Sequence, residues 1–139
     1  MIRVIMGAKG SGKTKRLIDM ANDLVKEARG DVVYVDDDQR YMYDLRHEIR
    51  FIETSEYKKN KAYGPEWLYG FLGGVLSANF DISAIFIDAF IRHSGGELFA
   101  LEDFFAKLRA LSDNSGAELI LSVGASEENV PEFIKQYAI

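Results

Sequence analysis

The chain has 139 residues, a length typical of one compact domain, and 47% of them are hydrophobic. Its 17 lysines and arginines against 22 aspartates and glutamates give a formal net charge of −5, which argues against a basic surface for nucleic acid or anionic membrane. The lack of cysteine excludes disulfides, cysteine-ligated metal centres and a cysteine nucleophile, and the two histidines argue against an all-histidine metal site. Because no apolar run is long enough to span a membrane and no leader pattern opens the sequence, we expect a cytoplasmic protein.

The first half of the chain alternates short apolar runs with amphipathic segments. Residues 2–6 and 32–35 are β-branched runs that predict buried strands, and residues 50–54 predict a weaker third strand. Apolar residues at helical spacing predict a helix from Lys13 through residue 28, closed by Gly30 at its C-terminal cap. Residues 57–63 interleave three lysines with tyrosines, as a segment that binds single-stranded nucleic acid would, but on an acidic chain the pattern favours a surface loop.

The second half continues the alternation. Pro65 opens a helix, residues 84–88 and 118–123 predict two further buried strands, and residues 131–137 predict a short terminal helix. Residues 97–112 carry the clearest helical pattern, and the preceding serine and two glycines, residues 94–96, predict a flexible loop. We therefore expect one domain over residues 1–139, an α/β fold with a five-stranded, mostly parallel sheet between two layers of helices.

The strongest motif lies between the first strand and the first helix. Residues 7–14 match G-x-x-x-x-G-K-S/T at every fixed position, and a glycine-rich turn of this kind points backbone N–H groups at one anion. The helix N-terminus adds positive charge, Lys13 can reach the β- and γ-phosphates, and the Thr14 hydroxyl can bind Mg²⁺. The candidate nucleotide-binding residues are Gly7, Ala8, Lys9, Gly10, Ser11, Gly12, Lys13, Thr14 and Lys15.

An acid at the end of a buried strand forms the expected second half of such a site. Asp88 ends the apolar run 84–88, where ligands bind in a parallel sheet, so we expect it to help Thr14 hold Mg²⁺. Lys13 and Asp88 are the candidate catalytic residues. The alternatives are a glycine-rich turn that binds nothing and an aspartate that only caps a turn.

The loop and this strand together resemble the P-loop NTPases, whose Walker A and Walker B motifs they match. The resemblance covers most of the chain and implies binding of a nucleoside triphosphate, ATP in preference to GTP because no Asn/Thr-Lys-x-Asp base-reading motif occurs. We expect the RecA-like strand order, with strand 118–123 between strands 2–6 and 84–88. The kinase or GTPase order would set those two strands side by side.

Two subfamilies of the P-loop NTPases provide residue-by-residue comparisons. The chromosome-partitioning type has a lysine directly after the first glycine, where this chain has Ala8, with Lys9 one position later. The loop, the Walker B strand, the following helix and residues 121–125 look like the nucleotide-binding half of the zinc-containing thymidine kinases. The catalytic glutamate of that family is Ala89 here, and its cysteine-ligated zinc module has no counterpart. The resemblance therefore implies a shared architecture rather than a shared reaction.

In ATPases of the class that includes RecA-like motors, the residue after the Walker B acid polarises the attacking water. This chain has Ala89 at that position, and alanine cannot polarise water. Candidate substitutes are three acids after the second strand, Asp36, Asp37 and Asp38, whose alternative interpretation is a solvated acidic turn. Glu97 is better explained as a first-turn charge of the helix that we predict there. A sensor residue of RecA-like domains would match Ser122, which ends the last strand.

The expected function is Mg²⁺-dependent binding of a nucleoside triphosphate, with hydrolysis that is slow or activated by a partner. The alternatives are a kinase for a small nucleoside-type molecule and a non-catalytic nucleotide-sensing module. Because the chain has few residues beyond a minimal core, we expect function to depend on a homo-oligomer or a partner protein, with nucleotide acting on loops 36–46 and 89–97. The aromatic residues Tyr41 and Tyr43, with Arg40, could contact a base, and Arg92 and His93 a phosphate or a partner.

Overall fold

A computed structural model describes residues 1–58 and 64–139 and shows an α/β fold built on one parallel sheet. The five strands are β1 (Ile2–Met6), β2 (Asp31–Asp36), β3 (Arg50–Glu53), β4 (Ile82–Ile87) and β5 (Glu118–Val123). Every pairing between them is parallel, and their order across the sheet is β1-β5-β4-β2-β3. The expected position of residues 118–123 between the first strand and the strand before Asp88 is confirmed.

Helices lie on both faces of the sheet. They are α1 (Lys13–Val25), α2 (Ser55–Lys58), α3 (Pro65–Ala78), α4 (Phe90–Ser94), α5 (Glu102–Ser115) and α6 (Glu132–Lys135). The apolar side of α1 packs with Ile5, Val32 and Phe86 on one face, whereas α3, α5 and α6 enclose the larger cluster on the other. The strands β1, β2, β4 and β5 are largely buried from both sides, which is why their sequences are mainly apolar, whereas no residue of the edge strand β3 is fully buried.

The register of the strands brings their carboxyl ends to one edge of the sheet. Val35 on β2 is opposite Ile87 on β4, and Ile87 is in turn opposite Leu121 on β5. The residues that follow these positions, Asp36, Asp88 and Ser122, therefore meet at the edge where ligands bind in parallel sheets.

Several predicted boundaries are wrong. The clearest helix begins at Glu102 rather than residue 97, because residues 98–100 form a 3-10 turn first. Glu97 consequently lies outside the first turn of α5 and is not a helix N-terminal charge. Residues 94–96 are not wholly loop either, since Ser94 is the last residue of α4, and Gly95 caps that helix in a left-handed conformation.

Gly30 does not cap α1, which ends at Val25. A Cβ at Gly30 would lie 2.1 Å from the carbonyl oxygen of Asp81, so the glycine is needed where the turn before β2 passes the turn before β4. The terminal helix is also shorter than predicted, because residues beyond it pair with the edge of β1. Val4 donates its N–H to Tyr137 and accepts the N–H of Ile139.

Residues 59–63, which form most of the predicted lysine- and tyrosine-containing loop 57–63, lie outside the described residues. Within the described ranges, no helix is both long enough and apolar enough to cross a bilayer.

Candidate functional site

The glycine-rich loop joins β1 to α1 and adopts a conformation that depends on its glycines. Gly10 and Gly12 have φ angles of 82° and 87°, in the left-handed region that side chains disfavour. A Cβ at Gly7 would clash with the Ser11 side chain, so a larger residue there would force Ser11 to move. Gly7, Gly10 and Gly12 therefore each have a local steric reason to be glycine.

The loop presents unpaired amides at the start of α1. Gly12 occupies the N-cap position without a side chain to cap the helix, and the first turn contains no acidic residue. In the described part of the chain, the N–H groups of Gly12, Lys13 and Thr14 donate to no protein acceptor. Together with the positive end of the helix dipole, these amides form a site that favours an anion.

Lys13 folds back over this loop. Its Nζ donates to the carbonyl oxygen of Ala8 at 3.1 Å and lies close to Gly124, which follows β5. Thr14 is half-buried beside it, whereas Lys9 is exposed and Lys15 is exposed and paired with Asp19 at 3.0 Å. The ammonium of Lys13 thus lies at the loop in a contact that a bound phosphate could replace.

A cavity of about 590 Å³ opens beside the loop. One wall consists of loop residues and the adjoining side of α1, and the other is formed by Tyr41 and Asp44 from the segment after β2. Ligand cavities in proteins commonly have volumes of roughly 300–1,000 Å³. The cavity is therefore large enough for a ligand that extends beyond the phosphate-binding loop.

Asp88 follows β4 directly and is held by three donors. Its Oδ1 accepts the Ser122 hydroxyl at 2.6 Å and the Ala89 N–H at 2.9 Å, and its Oδ2 accepts the Tyr34 hydroxyl at 3.0 Å. The carboxyl group is only 6% exposed. The structure thus brings Asp88 and Ser122 together, as their strand-end positions predict, and adds Tyr34.

Tyr34 is a site residue that the sequence analysis missed. It lies within β2, where an aromatic residue between valines indicates only a buried core position. Its ring stacks between Phe51 and Phe86, and burial together with the neighbouring Asp88 carboxylate raises the pKa of its hydroxyl. The hydroxyl is therefore a fixed donor to Asp88.

The three consecutive acids after β2 have different environments. Asp36 is 4% exposed, and burial, with the nearby Asp88 charge, raises its pKa to about 8. Asp37 forms a bidentate ion pair with Arg92 of α4, at 2.5 and 2.9 Å, and this pairing lowers the pKa of Asp37. Asp38 accepts the N–H of Arg40 at 2.9 Å. A uniformly solvated acidic turn is therefore the wrong interpretation of Asp36.

His93 is also buried, although its position after the strand suggested contact with a phosphate or partner. Its Nε2 lies 2.7 Å from the Thr54 hydroxyl and its Nδ1 lies 3.0 Å from the Ala89 carbonyl oxygen. Burial lowers the pKa of His93. Because Thr54 follows β3 and His93 belongs to α4, this contact links α4 to the end of the edge strand β3.

Ala89 has a left-handed backbone, with φ 54° and ψ 46°, and is the only non-glycine residue with positive φ in the described ranges. Its N–H is directed at both Asp88 and the Ser122 hydroxyl, 3.0 Å away, and its carbonyl accepts from His93. These contacts hold a conformation that costs an alanine roughly 1–3 kcal/mol. The chain thus turns sharply immediately after Asp88.

Magnesium is implied by the resemblance, and the available oxygen atoms fit it in a limited way. Within residues 1–58 and 64–139, no group of three histidine, aspartate or glutamate side chains is placed to hold a metal ion. Asp88 has one acceptor position left on Oδ2, and Thr14 supplies a hydroxyl. Thr14 lines the cavity beside the loop, and Asp88 does not. Since Mg²⁺ is usually bound by few protein oxygens together with phosphates and water, the oxygen atoms of these two residues are of the kind that would hold an ion arriving with a nucleotide.

The chain matches no protein-family model and none of the curated proteins with which it was compared.

Proposed function

We propose that this chain is a P-loop protein that binds a nucleoside triphosphate with Mg²⁺ in the loop of residues 7–14. The observation that carries the proposal is the set of unpaired amides at Gly12, Lys13 and Thr14, three residues that line the cavity, together with the Lys13 ammonium at the loop. Backbone N–H groups at a helix N-terminus and a lysine are the donors that bind nucleotide phosphates.

The roles of the individual residues follow from their chemistry. Lys13 exchanges the Ala8 carbonyl for the β- and γ-phosphates, and the loop amides bind the β-phosphate. Thr14 and Asp88 are the residues that would hold Mg²⁺, which when bound neutralises charge on the phosphates. Tyr34 and Ser122 fix the orientation of Asp88. ATP is the expected nucleotide, because no base-reading motif for guanine occurs in the sequence.

Hydrolysis by the isolated chain is proposed to be slow. The residue after Asp88 is Ala89, which has no group to polarise water, and Asp88 itself already accepts three hydrogen bonds. A group supplied by a second copy or by a partner protein would then raise the rate, as arginine residues do in trans for other P-loop enzymes. The corresponding non-catalytic role is a module in which nucleotide acts on segments 36–46 and 89–97, the second of which contains α4 rather than being the loop that we expected.

A second candidate is transfer of phosphate to a small nucleoside-type acceptor. The observation that favours it is Asp36, a buried carboxyl next to Asp88 whose pKa is raised to about 8. A general acid–base group is most effective when its pKa lies near the working pH. A screen of nucleosides and nucleotides for ATP-dependent phosphorylation tests this candidate, and no product with any of them would reject it.

Calorimetry with ATP, GTP and dTTP in the presence of Mg²⁺ tests the binding proposal. We expect wild type to bind ATP and Lys13→Ala to bind at least tenfold more weakly, because a charge-assisted contact to phosphate is lost. Lys26→Ala is the matched control, since it removes one charge from the C-terminal end of the same helix. Equal binding by wild type and Lys13→Ala would reject the site.

Two further measurements separate the catalytic and sensing roles. Phosphate release by the isolated chain should stay below about 1 s⁻¹, the lower end of the usual enzyme range. Light scattering and hydrogen exchange, with and without a nonhydrolysable ATP analogue, test whether nucleotide changes the oligomeric state or protects segments 36–46 and 89–97. Identical exchange in a protein that stays monomeric would contradict the sensing role.

A further inference from the structure

We propose that the nucleoside part of the bound nucleotide lies between α1 and the segment of residues 41–44, with its base stacked on Tyr41. This inference rests on the proposed function and extends it to the part of the ligand beyond the phosphates. The starting observation is that residues of the phosphate loop and two residues of this segment, Tyr41 and Asp44, line the same cavity. A nucleotide held by its phosphates in the loop must place its nucleoside close by, and this cavity opens directly from the loop.

The cavity extends along α1 well past the loop. Its lining on this helix runs from Thr14 through Ile18 to Asn22. The eight residue steps from Thr14 to Asn22 correspond to about 12 Å at 1.5 Å per residue. The lining therefore includes two further turns of helix that cannot contact a group held only at the first turn.

The charges differ between the two ends of the cavity. Lys13 and Lys15 lie at the loop end, together with the unpaired amides, whereas Asp19 and Asp44 lie farther along. Asp19 is paired with Lys15, but the Asp44 carboxylate has no ion-pair or hydrogen-bond partner within residues 1–58 and 64–139. The loop end therefore suits an anion, and the far end suits hydroxyl or amino donors rather than a second anion.

The wall opposite α1 is held in place by main-chain contacts. The Asn22 amide nitrogen donates to the Asp44 carbonyl oxygen at 2.9 Å, and its amide oxygen accepts the Arg46 N–H at 2.8 Å. The Asp44 N–H donates to the Tyr41 carbonyl oxygen at 3.0 Å. Because all three bonds use backbone atoms of the wall, none of them occupies the Asp44 carboxylate or the Tyr41 ring.

Only one of the two neighbouring tyrosines lines the cavity. Tyr41 contributes to its wall, and the Arg40 guanidinium carbon lies 5.9 Å from the centre of the Tyr41 ring. Tyr43 is 90% exposed and does not line the cavity. Stacking of a base on an aromatic ring is sequence-tolerant and energetically substantial, so Tyr41 identifies a ligand with a planar base, and Asp44 one with hydroxyl or amino groups.

The test compares ATP with inorganic tripolyphosphate, which has the phosphates without the nucleoside. Calorimetry with Mg²⁺ is carried out on wild type, Tyr41→Ala, Tyr41→Phe and the matched control Tyr43→Ala. We expect Tyr41→Ala to weaken ATP binding about tenfold or more, in the range measured for loss of a base–aromatic stack, and to leave tripolyphosphate within twofold. Tyr41→Phe, which keeps the ring, and Tyr43→Ala should both bind ATP like wild type.

The outcomes distinguish this inference from the proposed function. If wild type binds both ligands and Tyr41→Ala binds ATP normally, the nucleoside lies elsewhere and only this inference is overturned. An equal loss for ATP and tripolyphosphate in Tyr41→Ala would also overturn it, because the ring would then support the loop instead of the base. If wild type binds neither ligand, the nucleotide-binding proposal fails and this inference fails with it. Because Tyr41 is on the surface, a thermal melt like that of wild type is expected for every variant.

Discussion

Replacing Asp36 with asparagine should change how the stability of the protein depends on pH. The Asp36 carboxyl is 4% exposed and accepts one hydrogen bond, from the N–H of Asp37 at 2.7 Å. Burial, followed by the charge of the nearby Asp88, opposes ionisation and raises the pKa of Asp36 to about 8. An aspartate in an unfolded chain has a pKa near 3.9, so the folded protein holds a proton here that the unfolded chain releases.

The direction of the effect follows from linkage. A pKa that is higher in the folded state gives a stability contribution that is complete below about pH 4 and is lost as the pH rises through about 8. Within that window the free energy of unfolding falls by about 1.4 kcal/mol per pH unit. Between pH 5 and pH 7, wild type should therefore lose about 3 kcal/mol relative to Asp36→Asn, whose amide does not ionise.

Urea unfolding followed by circular dichroism at pH 5, 6, 7 and 8 measures this difference. Asp38→Asn is the matched control, since the Asp38 carboxylate is less buried than that of Asp36 and accepts the N–H of Arg40. The lowered pKa of His93 has the opposite effect, a stability lost as the pH falls, but it is present in every variant and cancels. A difference between wild type and Asp36→Asn that stays constant from pH 5 to pH 8 would refute the reasoning.

Four other substitutions test the same region and the fold by urea unfolding. Tyr34→Phe removes only the hydroxyl that donates to Asp88 and should lower the free energy of unfolding by about 1.5–3 kcal/mol; a loss under about 0.5 kcal/mol would contradict the role of this bond. Gly30→Ala places a Cβ 2.1 Å from a main-chain oxygen and should cost more than about 2 kcal/mol, whereas Gly74→Ala, in open space within α3, should gain about 0.5–1 kcal/mol. Ala89→Gly should leave the free energy of unfolding unchanged or raise it by up to about 1 kcal/mol, because glycine adopts the left-handed conformation without the strain of alanine. A clear decrease in the free energy of unfolding would show that the methyl group is needed.

Most of the sheet could be predicted from the sequence because β1, β2, β4 and β5 are largely buried on both faces, whereas β3, with no fully buried residue, gave the weakest pattern. The runs at residues 2–6 and 118–123 are apolar without alternation, and the structure gives both with the predicted bounds. Helix ends were predicted less well. Residues 98 and 101 have the three-residue spacing of a 3-10 turn as well as that of a helix, so periodicity alone could not show that α5 begins at Glu102.

The residues of the candidate site also divide into those that the sequence predicts and those that it does not. Asp88 and Ser122 follow neighbouring strands, so their proximity at the carboxyl edge could be derived from alternating strands and helices. Tyr34 could not be found, since a tyrosine within an apolar strand is ordinarily a core residue and its hydroxyl partner is 54 positions away. The same holds for His93, whose contact with Thr54 depends on the pairing of β3 with β2 and on the short helix α4.

The environment of Asp36 also bears on why catalysis by the isolated chain should be slow. With a pKa raised to about 8, this carboxyl is mostly protonated at pH 7, so only a minor fraction of the molecules has the carboxylate that could accept a proton from water or from an acceptor hydroxyl. If Asp36 is the base, phosphate release or transfer should rise about tenfold per pH unit below pH 8 and level off above it, and Asp36→Asn should abolish the rise. Rates measured from pH 6 to pH 9 for both proteins test this, with Asp38→Asn as the control. A flat profile in wild type would exclude Asp36 as the base and would favour a catalytic group that is supplied by a partner chain.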